Sequence, residues 1–259
     1  VRAITAVGLD VGGVDFLTAD ITQSYKDIGG GIVEVNAAPG FRMHVAPSEG
    51  QSRDVAGKVI DMLFPSGTPK RIPIAAITGT NGKTTTVTLL HQLFVRMGYS
   101  TGLLSTVENK INEEVIPSTH TTPDAISVQA LLRNMVDAGC THCFMEASSH
   151  AIVQERIAGL KLSGAVFTNI THDHLDYHGT FDEYIKAKKG FFDALNSQAF
   201  SLLNEDDAHA EIMVQNSKSK VYSFSLKRDS DFKAKILENH FQGLNLTIDD
   251  KEIWSKLIG

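Results

Sequence analysis

Lys83 and Thr84 are the residues of this chain best suited to phosphate chemistry. They lie in a loop, G-T-N-G-K-T-T at 79–85, that follows the apolar run I-A-A-I-T and opens a stretch of helical periodicity. Backbone N–H groups across Gly79, Thr80, Asn81, Gly82, Lys83 and Thr84 can converge on an anion, and the following helix N-terminus adds partial positive charge. Lys83 would reach the outer phosphates of a nucleotide, and the Thr84 hydroxyl would sit on Mg²⁺, with Thr85 closing the loop. The commoner pattern carries a glycine where this chain has Ile77, so the loop is a shorter variant. A glycine turn that happens to carry Lys-Thr is the alternative. Strand, loop and helix falling where phosphate binding needs them argue against it.

Three further constellations lie downstream. T-H-T-T-P-D at 119–124 is a hydroxyl-rich loop, which either caps a helix or contacts a ligand. M-E-A-S-S-H at 145–150 leaves a predicted strand end. Ligands of doubly wound sheets bind outside the carboxyl ends of the strands, so Glu146 would face the phosphates and could hold Mg²⁺. No nucleophile-elbow glycines flank Ser148 or Ser149, which argues against a serine hydrolase. T-N-I-T-H-D-H-L-D-Y-H-G at 168–179 packs His172, Asp173, His174, Asp176 and His178 into seven positions. A zinc site and a hydrogen-bonded polar loop both fit that run.

The elements that must position these groups are legible as alternating patterns. The spacing predicts strands over 71–78, 99–104, 143–146, 164–169 and 199–204. Helices are expected over 83–97, 149–156 and 182–195, and another from Thr122 as N-cap, with Pro123 at the first helical position, to Ala138. Between 104 and 122 a polar loop is expected. Such alternation builds an α/β fold, a mostly parallel doubly wound sheet with helices on both faces. The tail differs, with short antiparallel strands expected over 233–239, 244–248 and 251–257, joined by turns at Gln242-Gly243 and Asp249-Asp250. Residues 1–68 read as another unit, joined through the Pro65, Gly67 and Pro69 linker to 69–259.

With 259 residues, 42% of them hydrophobic, the chain can bury a sizeable core. A net charge of −6 with interspersed signs argues against a nucleic-acid partner. No apolar run approaches the roughly 20 residues needed to cross a bilayer, so no membrane insertion is expected. Cys140 and Cys143 form a C-T-H-C pair that leaves a helix and enters a strand. Residues three apart on a strand are separated by about 10 Å, too far for a disulfide. No second pair completes a Cys₄ zinc site. Both are expected to be reduced and structural, and the protein cytoplasmic.

Taken together, G-T-N-G-K-T-T, T-T-P-D, M-E-A-S-S-H with Arg156, and T-N-I-T-H-D-H-L-D-Y-H-G followed by Ala187-Lys188 make residues 72–259 resemble the central ATP-binding domain of the Mur ligases. The likeness is greatest to the branch that adds the third residue of the peptidoglycan stem peptide. The resemblance implies that Lys83 and Thr84 bind the ATP phosphates and Mg²⁺, and that Glu146 and His174 bind metal. It implies that Thr121, Thr122, Ser148 and Arg156 contact the UDP-MurNAc-dipeptide. It also implies that Lys188, rather than Lys186 or Lys189, is carbamylated, turning an ammonium that cannot ligate Mg²⁺ into an anionic ligand.

The first 70 residues carry none of the uridine-nucleotide domain implied by that family. V-E-V-N-A-A-P-G at 33–40 and M-H-V-A-P-S-E-G at 43–50 resemble the end of an ATP-grasp module, most closely that of the cyanophycin synthetases. Asp15, Glu34 and Asn36 would there be metal ligands of a second ATP site, with polar capping of a strand end as the alternative for Glu34 and Asn36. The chain, opening at Val1 and stopping at Gly259, is expected to be part of a longer protein, its C-terminal ligase domain absent.

The expected activity is an ATP-dependent amide-bond ligase using Mg²⁺, a UDP-MurNAc-peptide and an amino acid. The alternative is cyanophycin synthesis on a peptide polymer. From other classes come a phosphate-loop NTPase or kinase, and a nucleotide-binding fragment without turnover.

Overall fold

Short apolar runs that alternate with amphipathic helices have one economical solution, a sheet covered on both faces. The computed structural model describes residues 2–68, 71–116, 122–173, 175–248 and 250–256. The chain divides into two compact units, Val1–Lys70 and Arg71–Gly259.

The first unit contains α1 (Arg2–Ala6), β1 (Gly13–Leu17), α2 (Tyr25–Ile28), β2 (Gly31–Asn36), α3 (Arg42–Val45) and α4 (Val55–Leu63). β1 and β2 pair antiparallel, with Asp15 opposite Glu34 and Gly13 opposite Asn36. A lone two-stranded ribbon encloses little. No described residue of this unit is buried, and Leu17, Ile21 and Val33 are 71%, 80% and 72% exposed.

The second unit runs β3 (Ile74–Thr78), α5 (Lys83–Arg96), β4 (Thr101–Leu104), β5 (Asn109–Ile111), β6 (Glu114–Ile116), α6 (Ala125–Asp137), β7 (His142–Glu146), α7 (Ser149–Val153), β8 (Gly164–Phe167) and α8 (Leu175–His178). It continues through α9 (Phe181–Asp193), β9 (Phe200–Asn204), α10 (Ala210–Val214), β10 (Lys220–Ser225), β11 (Phe232–His240), β12 (Gly243–Ile248) and β13 (Lys251–Ser255). One sheet orders these strands β13-β12-β11-β10-β9-β8-β3-β7-β4-β5-β6. From β10 to β4 every pairing is parallel. The tail strands β11, β12 and β13 pair antiparallel, as their turns predicted.

Two apolar layers sandwich the sheet. On one face α5 sets Val87, Leu90 and Phe94 against Ile77, Leu103, Phe144 and Val166. On the other, Val128, Leu132 and Met135 of α6 join Tyr184, Ile185, Phe191 and Phe192 of α9 and Met213 of α10. The parallel strands of this core are apolar throughout because both of their faces are covered. Among the described residues no helix is long and apolar enough to cross a membrane.

Three details depart from the expected elements. The polar loop after β4 is a hairpin, β5–β6, turned at Asn112 with φ of 56°. α6 begins at Asp124 rather than Thr122. The Asp124 carboxylate accepts from the N–H groups of Ile126 and Ser127, both at 3.0 Å, which caps the helix better than a hydroxyl would and leaves Pro123 outside it. β10, α8 and α10 were not expected at all. Cys140 and Cys143 are free and buried, and burial pushes both thiols up, so they behave as small apolar groups.

Candidate functional site

The loop after β3 makes a tight turn that only glycine tolerates at its start. Gly79 has φ of 152°, and a Cβ there would lie 2.0 Å from Thr168 Oγ1 and 2.9 Å from the Asn169 carbonyl oxygen. Gly82, at φ 83°, is the left-handed N-cap from which α5 departs. The loop is laced to the segment after β8. Thr80 N donates to Asn169 O at 2.8 Å, Asn81 N to Asn169 Oδ1 at 3.0 Å, and Thr168 Oγ1 to Asn81 O at 2.7 Å. Thr171 N donates to Thr80 Oγ1 at 2.9 Å, and that hydroxyl lies 3.2 Å from Tyr184 OH. The conformation of the loop is thereby set before any ligand arrives.

Two lysines converge beneath it. Lys83 Nζ donates to Gly79 O at 3.0 Å and Thr80 O at 2.9 Å. Lys188 Nζ, from α9, donates to the same Gly79 O at 3.0 Å and to Thr78 Oγ1 at 3.3 Å, and lies 4.8 Å from the centre of the Tyr184 ring. Lys188 is 1% exposed. Burial, then the neighbouring Lys83 charge, pull its amine from 10.5 down to about 7, against an opposing pull from Asp173. Burial also lowers the Lys83 amine, opposed by Glu146 and Asp173. Lys186 and Lys189 are engaged elsewhere, with Glu183 at 2.5 Å and Asp193 at 2.6 Å.

This arrangement fixes a pH dependence. Between about 7 and 10.5 the unfolded chain holds a proton on Lys188 that the folded chain does not, so Lys188 adds stability as pH rises through that window. In CO₂-free buffer Lys188→Met is therefore expected to melt above the parent protein at pH 7 and below. The difference should shrink steadily towards pH 10, as thermal unfolding across the pH series would reveal. A pH-independent difference would mean that the buried amine stays protonated across this range, as it does in the unfolded chain.

Glu146 ends β7, beside the loop. It is 1% exposed, and among the described residues no ion pair neutralises it. Thr106 N donates to Glu146 Oε1 at 2.8 Å, and Thr106 Oγ1 lies 3.2 and 3.1 Å from the two carboxylate oxygens. The Glu146 charge acts on the Lys83 ammonium from beyond ion-pair distance, so its burial is only partly compensated, and a bound cation would relieve the remaining cost. Among the described residues no group of three or more His, Cys, Asp or Glu could hold a metal alone. A metal here would draw on Thr84, Glu146 and the oxygens of a phosphate or a modified Lys188, as suits Mg²⁺.

The expected substrate residues gather at the same sheet edge. Thr122 Oγ1 donates to Glu146 O at 3.1 Å, and Arg156 Nη1 donates to Thr122 O at 2.7 Å. Ser148 caps α7, its hydroxyl accepting from Ala151 N at 3.1 Å. Thr121 and His174 lie outside the described residues. Of the other members of the His/Asp run, Asp173 stays close enough to Lys83 and Lys188 for its charge to act on both, while two histidines turn elsewhere. His172 stacks on Phe181 at 4.2 Å, and His178 Nε2 lies 2.9 Å from Ser149 Oγ. In the first unit, Asp15 and Glu34 face each other across β1–β2, and Asn36 Oδ1 accepts from Ala38 N at 2.9 Å. Sequence reasoning passed over Thr106 and Tyr184. Thr106 lies two residues beyond the end of β4, and only the sheet order, which puts β4 next to β7, brings it to Glu146.

A glycine-walled loop on β3, a helix N-terminus and a buried carboxylate on the adjacent strand meet at the carboxyl edge of a doubly wound α/β domain. Residues 77–259 match the family model described as the Mur ligase middle domain, and the chain belongs to the Mur ligase family. It is 55% identical over 208 residues to the UDP-N-acetylmuramoyl-L-alanyl-D-glutamate–2,6-diaminopimelate ligase of Cytophaga hutchinsonii, covering 80% of this chain and 43% of that protein. It is 38% identical over 244 residues to the cyanophycin synthetase of Synechocystis sp., covering 93% of this chain and 27% of that protein. A solved structure of a UDP-N-acetylmuramoyl-L-alanyl-D-glutamate–2,6-diaminopimelate ligase superposes with a TM-score of 0.68 at 30% identity, over 78% of this chain and 42% of that one. The chain thus spans less than half the length of these relatives.

Proposed function

We propose that this chain is the nucleotide-binding part of an ATP-dependent ligase that extends UDP-MurNAc-L-Ala-D-Glu by one amino acid in peptidoglycan synthesis. The observation that carries this reading is the convergence of Lys83 and Lys188 on Gly79 O, with the buried Glu146 carboxylate on the neighbouring strand. The 55% identity to a ligase named for that substrate supports the choice of acceptor. A UDP-linked precursor fits a cytoplasmic protein.

The reaction needs two displacements. A substrate carboxylate oxygen attacks the γ-phosphorus of ATP, the bond to ADP breaks, and an acyl phosphate forms. The incoming amine then adds to the acyl carbon, and the tetrahedral intermediate loses phosphate and a proton to leave the amide. The residues around Gly79–Thr85 would hold the phosphates. Lys83 would leave its carbonyl partners to balance charge on the transferring phosphoryl, where most of the catalytic contribution lies. Bound Mg²⁺ would supply further charge neutralisation, held by Thr84, Glu146, His174 and carbamylated Lys188. Thr121, Thr122, Ser148 and Arg156 would orient the acceptor so that its carboxylate meets the γ-phosphate in line.

A second reading, cyanophycin synthesis, draws on the match that extends through 93% of the chain and so into its first unit. There Asp15, Glu34 and Asn36 would serve a second nucleotide site of ATP-grasp type. The test is ADP release by the full-length protein. Release requiring both UDP-MurNAc-L-Ala-D-Glu and an amino acid, with one amide formed per ADP, is expected. Release dependent on an aspartate polymer and arginine would favour the second reading, and release indifferent to any amine would exclude a ligase.

A further inference from the structure

We propose that Thr106 is a positioning residue that aims the Glu146 carboxylate at the metal side of the nucleotide site. This inference rests on the function proposed above. β4 and β7 lie side by side and parallel, with Leu104 opposite Met145. The residues that follow them, Thr106 and Glu146, therefore meet at the carboxyl edge of the sheet.

The main chain of Glu146 is pinned independently of its side chain. Its carbonyl oxygen accepts from Thr122 Oγ1 at 3.1 Å, and the next N–H, of Ala147, donates to Ile77 O at 2.9 Å. The carboxylate direction is a separate matter. Among the described residues Thr106 makes all the hydrogen bonds to it. Its N–H reaches Oε1 at 2.8 Å, and its hydroxyl bridges Oε1 and Oε2 at 3.2 and 3.1 Å.

A hydroxyl carries one proton, so it satisfies one lone pair of the carboxylate at a time. The remaining lone pairs stay available to a cation, and the rotor about the Cγ–Cδ bond is held in one orientation. Without the hydroxyl a single backbone N–H remains, which allows the carboxylate to swing. Thr106 is itself an exposed residue, so removing its hydroxyl leaves the core layers untouched. A conserved arrangement of the backbone with a changed side chain is what a clean test requires.

The experiment titrates Mn²⁺ into the chain in the presence of a non-hydrolysable ATP analogue, with bound metal read by electron paramagnetic resonance. Three proteins are compared, the parent, Thr106→Val and Thr106→Ser, with thermal melting of each recorded without metal. Partners of a metal-ligating group typically contribute about 10- to 100-fold in metal affinity. Because the backbone N–H survives, Thr106→Val is expected near the lower end, about tenfold weaker. Thr106→Ser should bind within about twofold of the parent and melt with it, whereas Thr106→Val should melt somewhat lower because the buried carboxylate keeps only the backbone N–H. If Thr106→Val fails to fold, Thr106→Ala replaces it with the same expectations.

Equal Mn²⁺ affinity in the valine variant and the parent would overturn the role of Thr106 while leaving the nucleotide site intact. So would weaker binding of the analogue in the absence of metal, since the effect would then lie on the phosphate loop. A parent protein that takes up no Mn²⁺ with the analogue would overturn the proposed nucleotide site, and this inference with it.

Discussion

Replacing Lys188 with alanine is expected to abolish ligation by the full-length protein, with a loss of at least about a hundredfold in rate. The side chain sits 1% exposed under the phosphate loop, and its amine, at about 7, is largely neutral in mildly alkaline solution. A neutral amine is the form that adds to CO₂. The resulting carbamate would place anionic oxygens where an ammonium would repel both Lys83 and a metal ion. Burial favours this, because the charged amine loses hydration that its contacts with Gly79 O and Thr78 Oγ1 only partly replace. Exposed Lys186, already paired with Glu183, has neither the neutral amine nor the position. ADP release and amide formation measured in parallel would report the loss. A short added carboxylate such as acetate should restore part of it by supplying the missing oxygens. Full activity of Lys188→Ala without rescue would exclude a catalytic part for this residue.

The second large effect is expected at Lys83. Its ammonium caps Gly79 O and Thr80 O with bonds of 3.0 and 2.9 Å, so it is held within the loop that would receive the phosphates. Hydrogen bonds to charged groups contribute about 1.5–3 kcal/mol each. Loss of two such contacts to phosphate oxygens predicts at least a hundredfold weaker binding of Mg-ATP by Lys83→Ala. The fold should survive, because the lysine lies in the first turn of α5 while Val87, Leu90 and Phe94 carry that helix's packing. Calorimetric titration gives the affinity and circular dichroism the fold. An affinity within threefold of the parent's, with the fold intact, would place the phosphates elsewhere.

The legible parts of this chain were those written in local chemistry. The buried strands β3, β7, β8 and β9 announce themselves as apolar runs, and the loop at Gly79–Thr85 by its two glycines before Lys-Thr. The tail strands were readable from Gln242-Gly243 and Asp249-Asp250. Less legible were features decided by competition or by tertiary contact. Asp124 displaced Thr122 as the helix cap because a carboxylate accepts two N–H groups where a hydroxyl accepts less strongly. The β5–β6 hairpin was hidden because its turn uses Asn112 in a left-handed conformation without a glycine. β10 alternates Val221, Ser223 and Ser225 with Tyr222 and Phe224 too weakly to stand out. Thr106 could not be singled out from sequence, because its link to Glu146 crosses between strands 40 residues apart.

The most direct measurement is the number of nucleotides bound by this chain. Titrated with Mg-ATP under calorimetric observation, the 259-residue protein should bind one nucleotide per chain. That single site should depend on Mg²⁺ and vanish in Lys83→Ala. No binding at all, or one site that survives Lys83→Ala, would contradict a phosphate site at Gly79–Thr85.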